Sequence, residues 1–239
     1  MDHDLSTIWV YLSASPLAGL TLTLVAYGIG IRLYQRFDSK PVLHPVLVTV
    51  FSIIAFLLVT ETDYEAYFED GQFVHFLLGL ATVALAIPLY QQYPKIKRLW
   101  LPLSITVISG AASAGASAIV VAKIMEASVH TQLSLAPRSV TAPVAMAISE
   151  QLNGLPSLTA VFVVITWILG AVMGTRILAL MRIHDDAIRG VAMGITTHGI
   201  GTARAFQISK EMGAFSGLTM AISTLVTLIM LPWLVEWLG

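Results

Sequence analysis

An all-helical protein that crosses a membrane several times is the fold class this sequence predicts, and three observations predict it. Apolar residues make up 56% of the 239 positions and charged residues 11%, against a soluble average of roughly a quarter charged. Mean hydropathy is +0.81. Several runs of about 20 residues carry no charge, each long enough to cross a hydrocarbon layer ~30 Å thick. The expectation is a single transmembrane domain over residues 1–239, with about seven full spans and one shorter re-entrant or half-helix segment.

Charge and cysteine content exclude other classes. The net charge of −1 says little, because in a membrane protein the placement of charge matters more than its sum. No basic patch points to nucleic acid. The chain has no cysteine, so it holds no disulfide framework, thiolate nucleophile or cysteine metal site. Asp2, His3 and Asp4 precede only a short apolar run, Ile8 to Leu12, unlike a cleaved leader with a basic start.

The first span expected is Pro16 to Leu33, opened by Ser15-Pro16 and closed by Arg32, Arg36 and Lys40. Pro41 to Thr60 is the second, running into the acidic stretch Glu61, Asp63, Glu65, Glu69 and Asp70. Gly71 to Tyr90 returns to a basic loop of Lys95, Lys97 and Arg98. The fourth span, Leu99 to about Val121, is dense in small residues from Ser109 to Ala116, which lets helix backbones approach closely. Ala136 to Leu155 is too short and too punctuated to cross, and reads as a half-helix or re-entrant segment. Pro156 to Ile177 is a clean span ending near Arg176, Arg182 and Arg189. Gly190 to Gln207 and Ala214 to Trp233 complete the set. Nine of the thirteen Lys and Arg residues then fall in loops on one side, which predicts the N-terminus outside and the C-terminus inside. A full crossing by the Ala136 segment would flip the C-terminal half.

An internal similarity suggests repeat units at about 41–125 and 136–239. The stretch from Ala81 to Ile87 aligns with Ala142 to Ile148 at a shift of 61 residues, identical at five of seven positions. Chance coincidence of alanine, valine and isoleucine is the alternative. Repeats with discontinuous helices are a recurring plan of secondary transporters.

The polar chemistry concentrates in Gly194 to Gly217, GITTHGIGTARAFQISKEMGAFSG. Gly199 and Gly201 mark an expected break, which membrane helices tolerate only where the backbone is buried in protein or lines a wet cavity. Arg204 stands 15 residues beyond Arg189, or ~22 Å along a regular helix, and so either binds an anion such as a carboxylate or snorkels to headgroups. Thr197 and Thr202 could hydrogen-bond the same ligand. His198 is a proton relay or a packing histidine bonded to a carbonyl. In the Ala136 segment, Ser139 or Thr141 caps a helix whose first turn holds Pro143, or aims that helix start at an anion. Glu150 is an interfacial carboxylate or a proton-coupling group. The six scattered histidines form no ligand set, so no metal is expected. No cofactor motif appears, because Gly199-x-Gly201 lacks a third glycine and a preceding strand. Without paired carboxylates or an activated nucleophile, no enzyme is expected.

Three motifs, SVTAPVAMAISEQLNGLPSLTAVFVVITWILGAVMG, HGIGTARA and GAFSGL, occur between Ser139 and Leu218 in an order and spacing that resemble the LrgB/CidB family. The resemblance extends more weakly upstream through ATVALAIPLY, although Leu80 stands where that family would have proline. It implies a multi-pass protein of the bacterial inner membrane, similar to the C-terminal half of the plastid glycolate/glycerate translocator. Two functions come with it: a carrier of small monocarboxylates such as pyruvate or glycolate, and an antiholin-like modulator of murein hydrolase export and autolysis. A small LrgA/CidA-like membrane partner is implied, and homo-oligomers are expected. The resemblance carries no binding residues. The expected carrier therefore rests on Arg204, Thr202, Thr197, Ser139 and Thr141 for substrate, with His198 or Glu150 for the proton.

Overall fold

The computed structural model describes residues 18–37, 43–68, 83–84 and 86–238. Every regular element among them is helical, and three helices are long and apolar enough to cross a membrane. The chain divides into two compact units, Met1–Ala84 and Leu85–Gly239. The expected Ser15-Pro16 start, most of the span from Gly71, Leu80 and part of the upstream partner of the repeat lie outside the described residues.

In the first unit, α1 (Ala18–Arg36) packs on α2 (Pro45–Val59). Proline opens α2, where its missing N–H leaves no bond unmade. The two helices approach so closely at Gly30 that a Cβ there would lie 2.8 Å from the Pro45 carbonyl oxygen. The hydroxyls of Thr23 and Tyr67 meet at 2.7 Å.

The second unit contains α3 (Ala86–Gln91), α4 (Tyr93–Arg98), α5 (Trp100–Ile124), α6 (Val129–Leu135), α7 (Ala142–Gln151), α8 (Pro156–Leu180), α9 (Asp186–Ile208) and α10 (Lys210–Leu238). The apolar spans are α5, α8 and α10. Near the start of α5, Leu103 packs with Ala187 and Phe215, which open α9 and α10. At the far end, Lys123 of α5 donates to the Leu238 carbonyl of α10. So α5 and α10 run the same way, from a Lys95 end to a Lys123 end. Helix α8 runs back, because its early Val163 clusters with Ile119 and Leu231 and its late Leu178 packs against Met212.

Two hairpins fill the space between these spans. The first is α6 with α7. His130 Nδ1 lies 2.8 Å from the Asn153 carbonyl oxygen, and Leu155 N–H donates to Ser134 Oγ at 2.7 Å, which fixes both arms at the Lys123 end. Its connection dips inward, where Ala136, Val140 and Ala145 pack with Ile119, Val163 and Leu231. The segment therefore enters and returns, beginning at Val129 rather than at Ala136.

The second hairpin replaces a crossing expected at Gly190 to Gln207. Helix α9 contains one non-helical residue, His198, at φ 38° and ψ −121°, and there the chain reverses. A Cβ at Gly190 would meet the Met212 carbonyl oxygen at 2.4 Å, while one at Gly213 would meet the Phe206 ring at 2.2 Å. The outbound and returning arms thus share one level of α10. Met193, Ala205 and Met212 form one buried cluster, although twelve residues of straight helix would hold Met193 and Ala205 ~18 Å apart.

Two corrections follow from the reversal. The C-terminus emerges at the Lys123 end, opposite to the side expected. Arg204 does not lie far across the bilayer, because it is already returning toward the end where Arg189 entered. Of the ten Lys and Arg residues in this unit, Lys95, Lys97, Arg98, Arg176, Arg182, Arg189, Arg204 and Lys210 then lie toward the Lys95 end, leaving Lys123 and Arg138. That is the pattern of a cytoplasmic face.

Candidate functional site

The reversal at His198 is built by residues that let backbones touch. A Cβ at Gly194 would lie 2.2 Å from Thr219 Oγ1 and 2.3 Å from the Ser216 carbonyl oxygen, so only glycine permits α10 this close. At Gly201 a Cβ would overlap Thr197 Oγ1, at 1.5 Å, so the two arms also touch each other. Gly199 and Gly201 themselves keep helical dihedrals; the break falls on His198. Positive φ at a non-glycine residue is strained, by ~1–3 kcal/mol, and persists where the surroundings over-determine it.

Those surroundings bury His198 completely. Its Nε2 lies 3.2 Å from Ser223 Oγ of α10, and its Nδ1 has no hydrogen-bond partner among the described residues. A buried ring nitrogen left without a partner costs ~1–3 kcal/mol, a cost that function can explain where packing does not. Thr197 donates to the Met193 carbonyl at 2.7 Å within its own arm. Thr202 shares a hydrogen bond with Ser216 at 2.9 Å. Both hydroxyls are therefore already engaged and buried.

The connection between α6 and α7 carries the other expected residues. Ser139 is buried. Thr141 occupies the N-cap position of α7, with Pro143 inside the first turn, but its side chain makes no capping bond. Arg138, immediately before Ser139, is half-buried, and its Nη1 has no partner among the described residues. Arg204 and Glu150 do not join this group. Arg204 is six residues along the returning arm, with Nη1 donating to Gln207 Oε1 at 3.0 Å, and Glu150 is exposed near the end of α7 at the Lys123 face.

Several residues of the site escape a reading of single motifs. On α10, Ser216, Thr219, Ser223 and Thr227 are all buried and recur every three or four positions, a hydroxyl stripe at helical period within an apolar span. That stripe is the signal that could have found them. Thr219 donates to the Val191 carbonyl of the outbound arm at 3.3 Å. Thr227 Oγ1 and Trp167 Nε1 of α8 are buried without partners among the described residues.

Two grooves of about 350 and 390 Å³ flank the outbound arm of α9, one toward α8 at Gly170 and Met193, the other toward α5 at Leu103 and Phe215. Both are apolar. At the Lys95 end, Lys95 of α4 bonds Glu211 at the start of α10 and lies 3.9 Å from Asp185, which caps α9. The bond to Glu211 holds the Lys95 ammonium above its ordinary pKa.

The sequence profile of the LrgB-like family matches residues 23–237. The chain belongs to the LrgB-like family. Among its relatives, the uncharacterized protein YwbG of Bacillus subtilis (strain 168) is 36% identical over 93% of this chain and 98% of its own length. The holin-like protein CidB of Staphylococcus epidermidis is 30% identical, over 90% of this chain and 94% of that protein. The antiholin-like protein LrgB of Bacillus mycoides is 27% identical, over 94% of this chain and 98% of that protein. No solved structure matches this member of the LrgB-like family.

Proposed function

We propose that this protein carries small monocarboxylates such as pyruvate or glycolate across the bacterial inner membrane, with proton coupling. One observation carries the reading: two helical hairpins enter the bundle from opposite ends, one reversing on strained backbone at His198 and the other burying its connection against α5, α8 and α10. In transporters, discontinuous helices near the midplane bind the substrate, and their movement opens the site to each side in turn. A purely structural bundle gains nothing from burying His198 with an unpartnered nitrogen. Ser139 and Thr141 at one tip and His198 at the other are the groups nearest to such a substrate. Thr197 and Thr202 brace the second hairpin, Arg204 draws anions toward the Lys95 face, and His198 moves the proton.

The names of CidB and LrgB support a second reading more directly. In it the protein is a holin- or antiholin-like assembly partner that modulates murein hydrolase export together with a small LrgA/CidA-like membrane protein. Uptake separates the two. Proteoliposomes containing only this chain should accumulate labelled pyruvate or glycolate above protein-free vesicles, faster with an inward proton gradient. No uptake, with or without the small partner, would leave the assembly reading in place.

A further inference from the structure

Each groove beside the outbound arm of α9 is headed by a cation at the Lys95 end, and the two cations are partnered differently. Toward α5 it is Lys95, whose Nζ stands 5.7 Å from the centre of the Phe215 ring that lines that groove. Glu211 and Asp185 already share its charge. Toward α8 it is Arg189. The glycines of α8 set the register: a Cβ at Gly170 would meet Thr197, and one at Gly174 would meet Met193, so one turn further on Leu178 stands opposite Arg189. Leu178, Ala192, Met193 and Thr196 all line this groove. The last three follow Arg189 at three, four and seven positions, on its own face of the helix. The ion pair of Arg189 with Asp186 is 3.6 Å long, beyond a hydrogen bond, and its buried Nε has no partner among the described residues. The side chain as a whole is 18% exposed, so the outer edge of the guanidinium is open to a ligand.

The dimensions of this groove select its occupant. It follows α8 for twelve residues, from Leu178 to Thr166, or ~18 Å of helix. Along α9 it runs from Arg189 to Thr197, ~12 Å. One leaflet of a hydrocarbon layer ~30 Å thick is ~15 Å deep, so the groove reaches from headgroup level to about the midplane. Spread over that length, its volume of about 350 Å³ leaves a cross-section of about 20–30 Å². A helix about 10–12 Å across needs ~80–110 Å², whereas a single hydrocarbon chain, about 4 Å wide, enters. Its lips suit such a chain. Leu169, Met173 and Ile177 expose an apolar ridge along α8, and Ala192 and Thr196 keep the facing wall low. At the head, Arg176 of α8 and Arg182 of the turn after it are exposed, and basic pockets between membrane helices at a cytoplasmic face suit anionic headgroups.

We propose that the groove between α8 and α9 binds an anionic phospholipid, with one acyl chain lying along Leu169, Met173 and Ile177 and the headgroup phosphate on Arg189. The site holds whatever the protein carries. A guanidinium offers five N–H donors in a fork that matches two phosphate oxygens, so Asp186 leaves donors over for the lipid. Because Ala192 and Thr196 belong to the outbound arm of α9, a seated lipid also braces that arm. The groove toward α5 is equally apolar, but its cation is paired with Glu211 and Asp185, so it holds no such headgroup.

The test uses the full chain in detergent micelles, with phosphatidylglycerol and phosphatidylcholine of identical chains as probes. Retained lipid is read by native mass spectrometry and stability by melting temperature. The native chain should hold phosphatidylglycerol about tenfold more tightly than phosphatidylcholine, and melt higher in its presence. Arg189→Gln should remove that preference, and Arg189→Lys should keep most of it. Thr196→Phe, which fills the groove from its low wall, should weaken both lipids about tenfold or more. Lys97→Gln, an exposed cation of the same end that heads neither groove, should change neither. Glycerol phosphate, a headgroup without chains, should not compete. Equal retention of the two lipids by the native chain would overturn the site, as would native preference in Arg189→Gln or native affinity in Thr196→Phe. Each of these two variants decides by itself if the other does not fold. Effective competition by glycerol phosphate would reduce Arg189 to a surface anion site, and a dimer that Thr196→Phe dissociates would give the groove to a second copy; either result removes the lipid.

Discussion

The hairpin of α6 and α7 is held chiefly by hydroxyls, whereas the hairpin of α9 adds to its hydroxyl bonds a set of glycine contacts against backbone and against its own second arm. In the first, Ser134 bonds the Leu155 N–H, and Ser149 accepts from Thr159 at 2.7 Å in a fully buried pair. Its tip is a multi-residue connection, 136–141, between short arms. In the second, glycine brings the arms against each other and against α10, and the tip is one residue. Hydrogen bonds fix a distance but allow small rotations about it, while interlocked backbones fix position on both sides. The α9 hairpin is thus the more rigid of the two. The α6–α7 hairpin is the more adjustable partner.

The largest effect that could break this comparison is at Gly194. A valine there would drive its side chain into Thr219 Oγ1 and the backbone of Ser216, which flexible side-chain motion does not relieve. Overpacking of this kind costs ~1–3 kcal/mol and more where backbone must move. Gly194→Val should therefore abolish monodisperse protein on size-exclusion chromatography. Ser149→Ala, which removes one bond from the other hairpin, should leave it folded. Equal losses from the two would mean that the hairpins are held alike.

A sharper probe is the reversal itself. In a helix interior alanine is favoured over glycine by ~1 kcal/mol. At φ 38° that order should invert, since glycine adopts positive φ without strain. Both His198→Ala and His198→Gly remove the imidazole and leave the same gap, apart from one methyl group. The glycine variant should melt at the higher temperature, with both deficient in carboxylate binding. A more stable alanine variant would mean that α9 passes through position 198 as ordinary helix.

Much of the scaffold was legible before any coordinates. The spans from Leu99, Pro156 and Ala214 appear as α5, α8 and α10 because long uncharged runs have few other solutions in lipid. The polar cluster around His198 was legible as an interruption. Its geometry was not, because residues 190–207 have the length and apolarity to pass for a crossing and the glycines read as the flexible points. They serve instead as contact points. What turns the chain is the pairing of Gly190 and Gly194 with one face of α10, a long-range match that hydropathy along the chain does not carry.

The smallest expected effect concerns Arg204, and it tests whether an anion is held by the returning arm of the α9 hairpin or by Arg138 at the tip of the α6–α7 hairpin. Sequence spacing alone puts Arg204 deep in the bilayer, where a cation demands a partner. Reversal at His198 changes that account. Nine residues inward from Arg189 and six back leave Arg204 only ~4–5 Å above the level of Arg189, on a half-exposed surface with Gln207 beside it. A cation there tolerates water and lipid phosphate, and an ammonium serves nearly as well as a guanidinium. Arg204→Lys should accordingly change pyruvate affinity by less than about threefold, against about tenfold or more for Arg138→Lys. Its effect should appear in the rate of uptake at low salt and fade as ionic strength rises, because a charge near the surface acts by steering the anion and is screened over ~8–10 Å. Measuring both variants in the same vesicles decides between arm and tip. A large, salt-independent loss of affinity from Arg204→Lys, with Arg138→Lys near native, would move the carboxylate off the tip and onto the returning arm.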